Sequence, residues 1–320
     1  MSALKIKSDS FIAEHIPHCG NKFLIGNGYL GVRGTCEEFT KEQMPAVNMA
    51  GVYDKVGDGW RESVNAPNPL YTYIMVDGKK YALPDVEPAS HSQELDLETA
   101  IHTRNTSWKT DKGQVSVFCE RFASMANQHA VCMKYTLKAD FDFVAEISTG
   151  IDADVWDING PHLEYISANE GECETISAKT HEKGISVSTS QNVKYAFPGD
   201  VSVSIQDKSI IKTIAFSAKA GTEYTFEKVA LITASCDQIP CDKTADELSY
   251  EDEKSRHIAA WAKIWDISLV EIEGDDDAML ALNYSIYHLN CIAPRNMSGI
   301  SIPARGLSGQ VYKGAVFWDT

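Results

Sequence analysis

Apolar and polar residues alternate along the middle of the chain, from about residue 70 to residue 235. An alternation with a period of two puts successive side chains on opposite faces of a half-buried strand. The clearest runs are 115–120, 131–137, 185–189 and 201–205. Turn signals such as Asp77-Gly78 and Lys183-Gly184 separate such runs, and no helical crossover lies between most pairs. The pattern therefore predicts a large, mainly antiparallel β domain and favours a sandwich over a parallel βαβ sheet.

The period changes near residue 250. Within 251–267, apolar residues recur at i, i+3, i+4 and i+7, which makes one stripe of a helix. A short strand-like segment at 269–274 precedes a second predicted helix. One face of that helix carries Met279, Leu282, Ile286 and Leu289. The acidic residues 275–277 suit the cap and the positive end of this helix, and the Pro- and Gly-containing stretch 294–314 predicts a loop.

The 320-residue chain is 43% hydrophobic and 23% charged, as is usual for a globular protein. At about 150 residues per domain, this length suggests about two domains. The 29 basic and 45 acidic residues give a formal net charge of −16. Because this excess of negative charge repels phosphate backbones and anionic lipid, we expect neither a nucleic acid nor a membrane surface as partner. A neutral or polar substrate fits better.

Cysteine usage and the first residues bear on the compartment. The eight cysteines form no CxxC pair, and the N-terminal sequence MSALKIKSDSF lacks the apolar stretch of a signal peptide. No run approaches the roughly 18 consecutive apolar residues that a membrane-spanning helix needs. We therefore expect reduced thiols and a cytoplasmic location.

Several motifs could carry chemistry. The glycine-rich stretch Gly26–Gly34 lacks a following Lys-Ser/Thr pair, so a turn between strands is favoured over a nucleotide loop. The nine histidines form no tight ligand pair and the cysteines complete no zinc spacing, so no metal site is predicted. The acidic pair Glu37-Glu38 and the run 275–277 are interpreted as solvated turns, because glycosidase carboxylates must flank one bond at a defined separation.

The pair Trp318-Asp319 follows the predicted loop. An indole stacks on the apolar C–H face of a pyranose, and a carboxylate accepts hydrogen bonds from its hydroxyls. The alternative is a buried Trp beside an Asp that caps a helix. The pair makes Trp318 and Asp319 candidate sugar-binding residues.

Four segments of the chain, taken in order, resemble segments of glycoside hydrolase family 65, which includes the maltose, kojibiose, nigerose and trehalose phosphorylases. They are Lys22–Gly34, Trp261–Trp265, Ala281–Leu289 and Ile302–Thr320. The terminal segment is the most specific, because it combines Gly-Leu-Ser-Gly, Tyr-Lys-Gly and Phe-Trp-Asp-Thr at the family spacing. The resemblance extends over essentially the whole chain.

The resemblance implies an antiparallel β-supersandwich of the galactose-mutarotase type, then a helical linker, then the truncated start of an (α/α)₆ barrel. We expect the sandwich at 1–250, the linker at 251–273 and the beginning of the barrel at 274–320. Only the Trp and Asp of the family motif carry over, as Trp318 and Asp319, which would line the pocket for the non-reducing glucose. The general acid Glu would lie beyond Thr320, so no catalytic residue and no metal ligand is assigned within the chain.

The implied activity is inverting phosphorolysis of an α-linked glucose disaccharide to β-glucose 1-phosphate and glucose. Inorganic phosphate is the co-substrate, no other cofactor is expected, and the enzyme is expected to be a homodimer. The 320-residue chain alone is expected to be inactive. Two alternatives remain: a family hydrolase that acts on α-glucosides, and a standalone β-sandwich module for carbohydrate binding or oligomerisation.

Overall fold

The structure is a computed structural model that describes residues 4–295, 297–312 and 314–316, apart from the side chains at 165 and 166. The strands are β1 (Lys5–Ser8), β2 (Ile25–Gly26), β3 (Leu30–Val32), β4 (Val47–Asp54), β5 (Glu62–Asn65), β6 (Thr72–Val76), β7 (Lys79–Tyr81), β8 (Ser90–Asp96), β9 (Ile101–Lys109), β10 (Gln114–Ala123), β11 (Ala130–Ala139), β12 (Phe143–Asp152), β13 (Leu163–Glu170), β14 (Glu174–Thr180), β15 (Ser186–Tyr195), β16 (Asp200–Gln206), β17 (Ser209–Ala218) and β18 (Tyr224–Ala234). The α-helices are α1 (Ile16–Lys22), α2 (Tyr250–Ser268) and α3 (Asp276–Ile292), and 3₁₀ turns lie at Ala13–His15, Lys41–Gln43 and Gly306–Ser308.

The strands pair antiparallel in three sheets within the described ranges. The largest sheet has the order β1-β8-β9-β10-β11-β18-β15-β14-β13, the second has the order β16-β17-β12-β6-β7, and the third has the order β2-β3-β4-β5. Val117 of β10 pairs with Leu137 of β11, and both side chains are buried, as the alternating pattern requires. The predicted mainly β, antiparallel sandwich is confirmed.

The main core lies between the nine-stranded and the five-stranded sheet. Val117 and Phe226 of the large sheet and Ile147 and Ile214 of the second sheet belong to one cluster of buried side chains. Each such side chain contributes about 1.5–3 kcal/mol when it leaves water. The sandwich therefore rests mainly on apolar burial between its two large layers.

Helix α2 covers the outer face of the large sheet. Phe122 and Cys132 point to this face and pack in a second buried cluster with Tyr250, and His257 stacks on the Phe122 ring with the centroids 4.6 Å apart. This cover explains why residues on both faces of β11 are apolar near its start. The helix predicted over 251–267 is confirmed as Tyr250–Ser268, with Ser249 as its N-cap.

Helix α3 forms as predicted, with the exposed Asp275 accepting a hydrogen bond from the backbone N–H of Ala278 at 2.9 Å. The expected strand at 269–274 is wrong, because its backbone finds a side-chain partner instead of a neighbouring strand. Asn283 of α3 donates to the carbonyl of Val270 at 2.7 Å and accepts from the N–H of Val270 at 3.1 Å.

No helix in the described ranges is long and apolar enough to cross a membrane.

A buried ion network joins the first 40 residues to the large sheet. Arg104 of β9 pairs with Glu37 at 2.8 Å and with Glu38, and Arg121 of β10 pairs with Glu37 at 2.7 Å. These side chains are at most 3% exposed. Burial alone would raise the pKa of Glu37, but Arg121 and Arg104 lower it below its ordinary value. Glu37-Glu38 does lie in a turn, but this turn is buried, so the expectation that it is solvated is wrong. Residues 275–277 are exposed as expected.

Replacing Arg104 by Met should destabilise the fold strongly. The change removes the charge that compensates the buried carboxylate of Glu38, so we expect a loss of about 3–5 kcal/mol in the free energy of unfolding. Urea unfolding at neutral pH measures it. The matched control is Arg61→Met, which breaks an exposed pair with Glu182 and should cost far less. Equal losses in the two variants would contradict the structural role of the buried network.

Candidate functional site

The two predicted sugar-binding residues, Trp318 and Asp319, lie outside the described residues. The structure does describe the segment that leads to them, and it describes the surface on which that segment lies. We call residues 304–312 and 314–316 the terminal segment. Its position against the β domain defines the candidate site.

The glycine-rich stretch Gly26–Gly34 is a turn between two short strands, β2 and β3, as predicted. Gly28 has φ of +86° at this turn, and its N–H donates to the carbonyl of Cys291 at 2.7 Å. A Cβ at Gly28 would lie 2.2 Å from the carbonyl oxygen of Ala293. The missing side chain therefore lets the end of helix α3 approach the hairpin backbone directly.

The terminal segment approaches the same hairpin just as closely. A Cβ at Gly31 would lie 2.2 Å from Leu307, which is itself buried. On the other side of the contact, Gly314 has φ of +75° and sits where a Cβ would lie 2.6 Å from the Ser63 hydroxyl. The hydroxyl of Tyr53 donates to the carbonyl of Gly314 at 3.1 Å. The terminal segment is thus held by backbone contacts to β3 and by side chains of β4 and β5.

A buried arginine crosses from the hairpin to the terminal segment. Arg33 donates to the carbonyl of Pro17 at 2.9 Å, to the side-chain oxygen of Asn21 at 3.1 Å and to the carbonyl of Ser308 at 3.5 Å. Its guanidinium also lies over the Trp156 ring, 5.8 Å from the centroid. Burial lowers the pKa of Arg33 to about 10. Because every hydrogen-bond acceptor it has in the described residues is a neutral oxygen, its positive charge is not neutralised locally.

Two amides lie under the terminal segment. Asn48 of β4 donates to the side-chain oxygen of Asn65 of β5 at 3.1 Å, and Asn65 donates to the carbonyl of Trp156. The side-chain oxygen of Asn48 and the hydroxyl of Ser63 are buried and have no partner among the described residues. Buried polar atoms of this kind are usually satisfied, so they mark a polar patch beneath Gly309 and Gly314.

A histidine joins the two strands that carry this patch. His162 is fully buried between Asp54 of β4 at 3.1 Å and Glu62 of β5 at 2.8 Å, which face each other in the strand pair. Burial alone would lower the pKa of His162, but Glu62, Asp157 and Asp54 raise it above its ordinary value. The two neighbouring carboxylates therefore favour the charged form of the ring, which in turn offsets the repulsion between them.

Sequence reasoning missed these supporting residues. Arg33 carried one signal, since it is a charged residue in an otherwise apolar, glycine-rich stretch. Asn48, Asn65 and His162 carried none. Among the described residues, no group of three His, Cys, Asp or Glu side chains is arranged to hold a metal ion.

Comparisons with known proteins bear on this site. The family model described as glycosyl hydrolase family 65, N-terminal domain, matches residues 6–264, and the model for the central catalytic domain of the same family matches residues 283–320. Nigerose phosphorylase of Lachnoclostridium phytofermentans is 42% identical over 98% of this chain and 46% of its own length. 1,2-alpha-Glucosylglycerol phosphorylase of Bacillus selenitireducens is 35% identical over 94% of this chain and 40% of its own length. The chain thus spans about half the length of these relatives.

A solved structure is similar to nearly the whole chain. A putative kojibiose phosphorylase from the human microbiome superimposes with a TM-score of 0.88 over 99% of this chain and 45% of that one. At 16% sequence identity, this likeness shows the fold alone.

Substitution of Gly28 by Ala should lower the free energy of unfolding by more than the strain of an Ala residue at a left-handed backbone position. The matched control is Gly78→Ala, where φ is +77° and nothing lies within 4 Å of the new Cβ. We expect the free energy of unfolding to fall by about 1–2 kcal/mol in the control. We expect a further loss of about 1–3 kcal/mol at Gly28, where α3 must move away from the new Cβ. Urea unfolding of both variants measures the difference. Equal losses would mean that the close approach of α3 has no energetic weight.

Replacing His162 by Gln should give a pH-dependent loss of stability. Because the pKa of His162 is raised on folding, its contribution is complete below the unfolded pKa of about 6.5 and is lost as pH rises through the folded value. The stability gap between wild type and His162→Gln, measured by thermal unfolding, should therefore shrink as the pH rises above about 6.5. His15→Gln, at an exposed position, is the control. A gap that widens with pH would contradict a protonated His162.

Proposed function

This chain belongs to glycosyl hydrolase family 65, and from that membership we propose that it is the N-terminal part of an inverting α-glucoside phosphorylase. The enzyme cleaves an α-linked glucose disaccharide with inorganic phosphate and releases β-glucose 1-phosphate and glucose. The relative with 42% identity is a nigerose phosphorylase, so nigerose is the first substrate to test. Inorganic phosphate is the co-substrate, and the reaction uses no further cofactor.

The proposed organisation has three parts. Residues 1–250 form the β-sandwich domain, residues 251–273 link it to the catalytic domain, and residues 274–320 begin an (α/α)₆ barrel. The packing of α2 against the outer face of the large sheet supports the second assignment, since it fixes the direction in which the chain leaves the sandwich. The remainder of the barrel belongs to the part of the relatives that this chain does not span.

In the proposed mechanism, Trp318 and Asp319 hold the glucosyl ring. The indole stacks on the C–H face of the ring, and the carboxylate accepts hydrogen bonds from its hydroxyls. A protonated Glu beyond Thr320 donates to the glycosidic oxygen while phosphate attacks the opposite face of the anomeric carbon through an oxocarbenium-like state. Since phosphate is already an anion, attack needs no protein general base.

The observation that carries this proposal is the way the terminal segment is held. Leu307 is buried against Gly31, Ser308 accepts from Arg33, and Gly314 accepts from Tyr53, so the chain is anchored up to a few residues before Trp318. Ring-binding side chains increase the rate only when they hold the reacting carbon in line with the nucleophile. A rigid support of this kind suits that positioning role.

We also propose that the enzyme is cytoplasmic and dimeric. Phosphorolysis conserves the energy of the glycosidic bond as a sugar phosphate, which is useful where that phosphate can be metabolised. The dimer is implied by the family resemblance.

The test compares the chain alone with an extended form. The chain should release no glucose 1-phosphate from nigerose, kojibiose, maltose or trehalose. Joined to the remaining part of the Lachnoclostridium phytofermentans nigerose phosphorylase, it should release glucose 1-phosphate from nigerose only when phosphate is present. Asp319→Asn in the joined form should lower kcat/KM by at least about a hundredfold, because the change replaces one of the two acceptor oxygens with an NH₂ donor and removes the negative charge. Asp111→Asn, in an exposed turn, should leave it unchanged.

Three outcomes would contradict the proposal. Glucose 1-phosphate release by the chain alone would show that it is catalytically complete. Glucose release from nigerose without phosphate would indicate a hydrolase. Equal effects of Asp319→Asn and Asp111→Asn would remove Asp319 from the sugar site.

A further inference from the structure

A cleft of about 560 Å³ lies between helix α1, helix α3 and the start of the terminal segment. We call it the α1–α3 cleft. Its volume is in the range of small-molecule sites, which is about 300–1,000 Å³. Leu24 and Ile292 give it an apolar wall, and Asn21, Tyr284 and Ser308 add polar groups. Apolar walls with a few polar groups suit a ligand of sugar size.

The charge of this cleft is opposite to that of the chain. Lys22 and Arg305 line it, and no Asp or Glu is among its described lining residues. His288 also lines it but adds no charge near neutral pH, because burial lowers its pKa to about 4. The whole chain, by contrast, has 45 acidic and 29 basic residues. The Lys22 ammonium donates to the carbonyl of Lys7 at 2.6 Å, and the Arg305 guanidinium lies over the Tyr312 ring at 5.5 Å. Neither cation forms an ion pair within the described ranges.

A third cation lies beneath the floor of the cleft. Arg33 is 1% exposed and donates to Asn21 and to Ser308, two residues that line the floor. Its Nε is buried without a partner, and no described carboxylate pairs with it. An uncompensated buried cation is costly, and an anion bound nearby would offset that cost.

We propose that the α1–α3 cleft binds a phosphate monoester of a sugar. The phosphate lies against Arg305 and Lys22, which supply the charge-assisted donors that phosphate oxygens accept. The sugar body lies against Leu24 and Ile292, which cover its C–H face. Arg33 adds positive potential from below through the floor. Such binding requires no turnover, so it is tested independently of the phosphorolysis proposed above.

The test is isothermal titration of the chain with glucose 6-phosphate, and separately with glucose and with inorganic phosphate. We expect glucose 6-phosphate to bind at least about tenfold more tightly than either part alone, because both the anion and the ring are recognised. Added NaCl should weaken the binding, since the cations that contact the ligand are partly exposed. Arg305→Gln should lower the affinity at least about fivefold.

The matched control is Arg61→Gln, an exposed arginine outside this cleft, which should bind glucose 6-phosphate as the wild type does. Lys22→Gln gives a second variant at the cleft, and thermal unfolding of each variant checks that it is folded. Three results overturn the proposal. They are no heat of binding with glucose 6-phosphate up to about 10 mM, equal affinity for inorganic phosphate, and equal affinity in the Arg305→Gln, Lys22→Gln and Arg61→Gln variants.

Discussion

Backbone contact at the glycine-rich hairpin is the constraint on which the rest of the site depends. Helix α3 and the terminal segment both reach this hairpin at distances that no Cβ would permit, at Gly28 and Gly31 respectively. A side chain at either position would push one of the two elements away from the sandwich.

Buried charged side chains set the electrostatic potential around this contact. The chain is strongly acidic, yet three interior places depend on a cation: Arg104 with Arg121, His162, and Arg33. The first two offset the charge of carboxylates that lie about 65 to 110 residues away in the sequence. Arg33 differs, because its acceptors are neutral, so it leaves a positive potential between the hairpin and the terminal segment. The sandwich thus provides the surface on which the terminal segment packs, and it provides a positive potential beside that segment.

The sequence predicted those elements whose pattern is local. The apolar residues of β10 and β11 recur with the period of a strand, and those of α2 and α3 recur with the period of a helix. The type of each of these elements was therefore predictable. The sheet β2-β3-β4-β5 was not, because β2, β3 and β5 have only two to four residues and, like the first half of β4, are buried on both faces. Glu37 and Glu38 were misread since their partners lie about 65 to 85 residues away. The segment 269–274 was misread because the side chain of Asn283 replaces a neighbouring strand. Trp318 and Asp319, proposed from chemistry and resemblance, stay predictions.

The contact between Asn21 and Gln310 joins residues 289 positions apart in the chain, and the Arg33 contact to Ser308 joins residues 275 apart. On a ribosome that adds about 5–20 residues per second, the hairpin and α1 therefore wait about 15–60 s before their cover is synthesised. During that interval the glycine face is open backbone, able to pair with other chains. The order of synthesis thus leaves α1 and the hairpin without these contacts until residues 308–310 have been made.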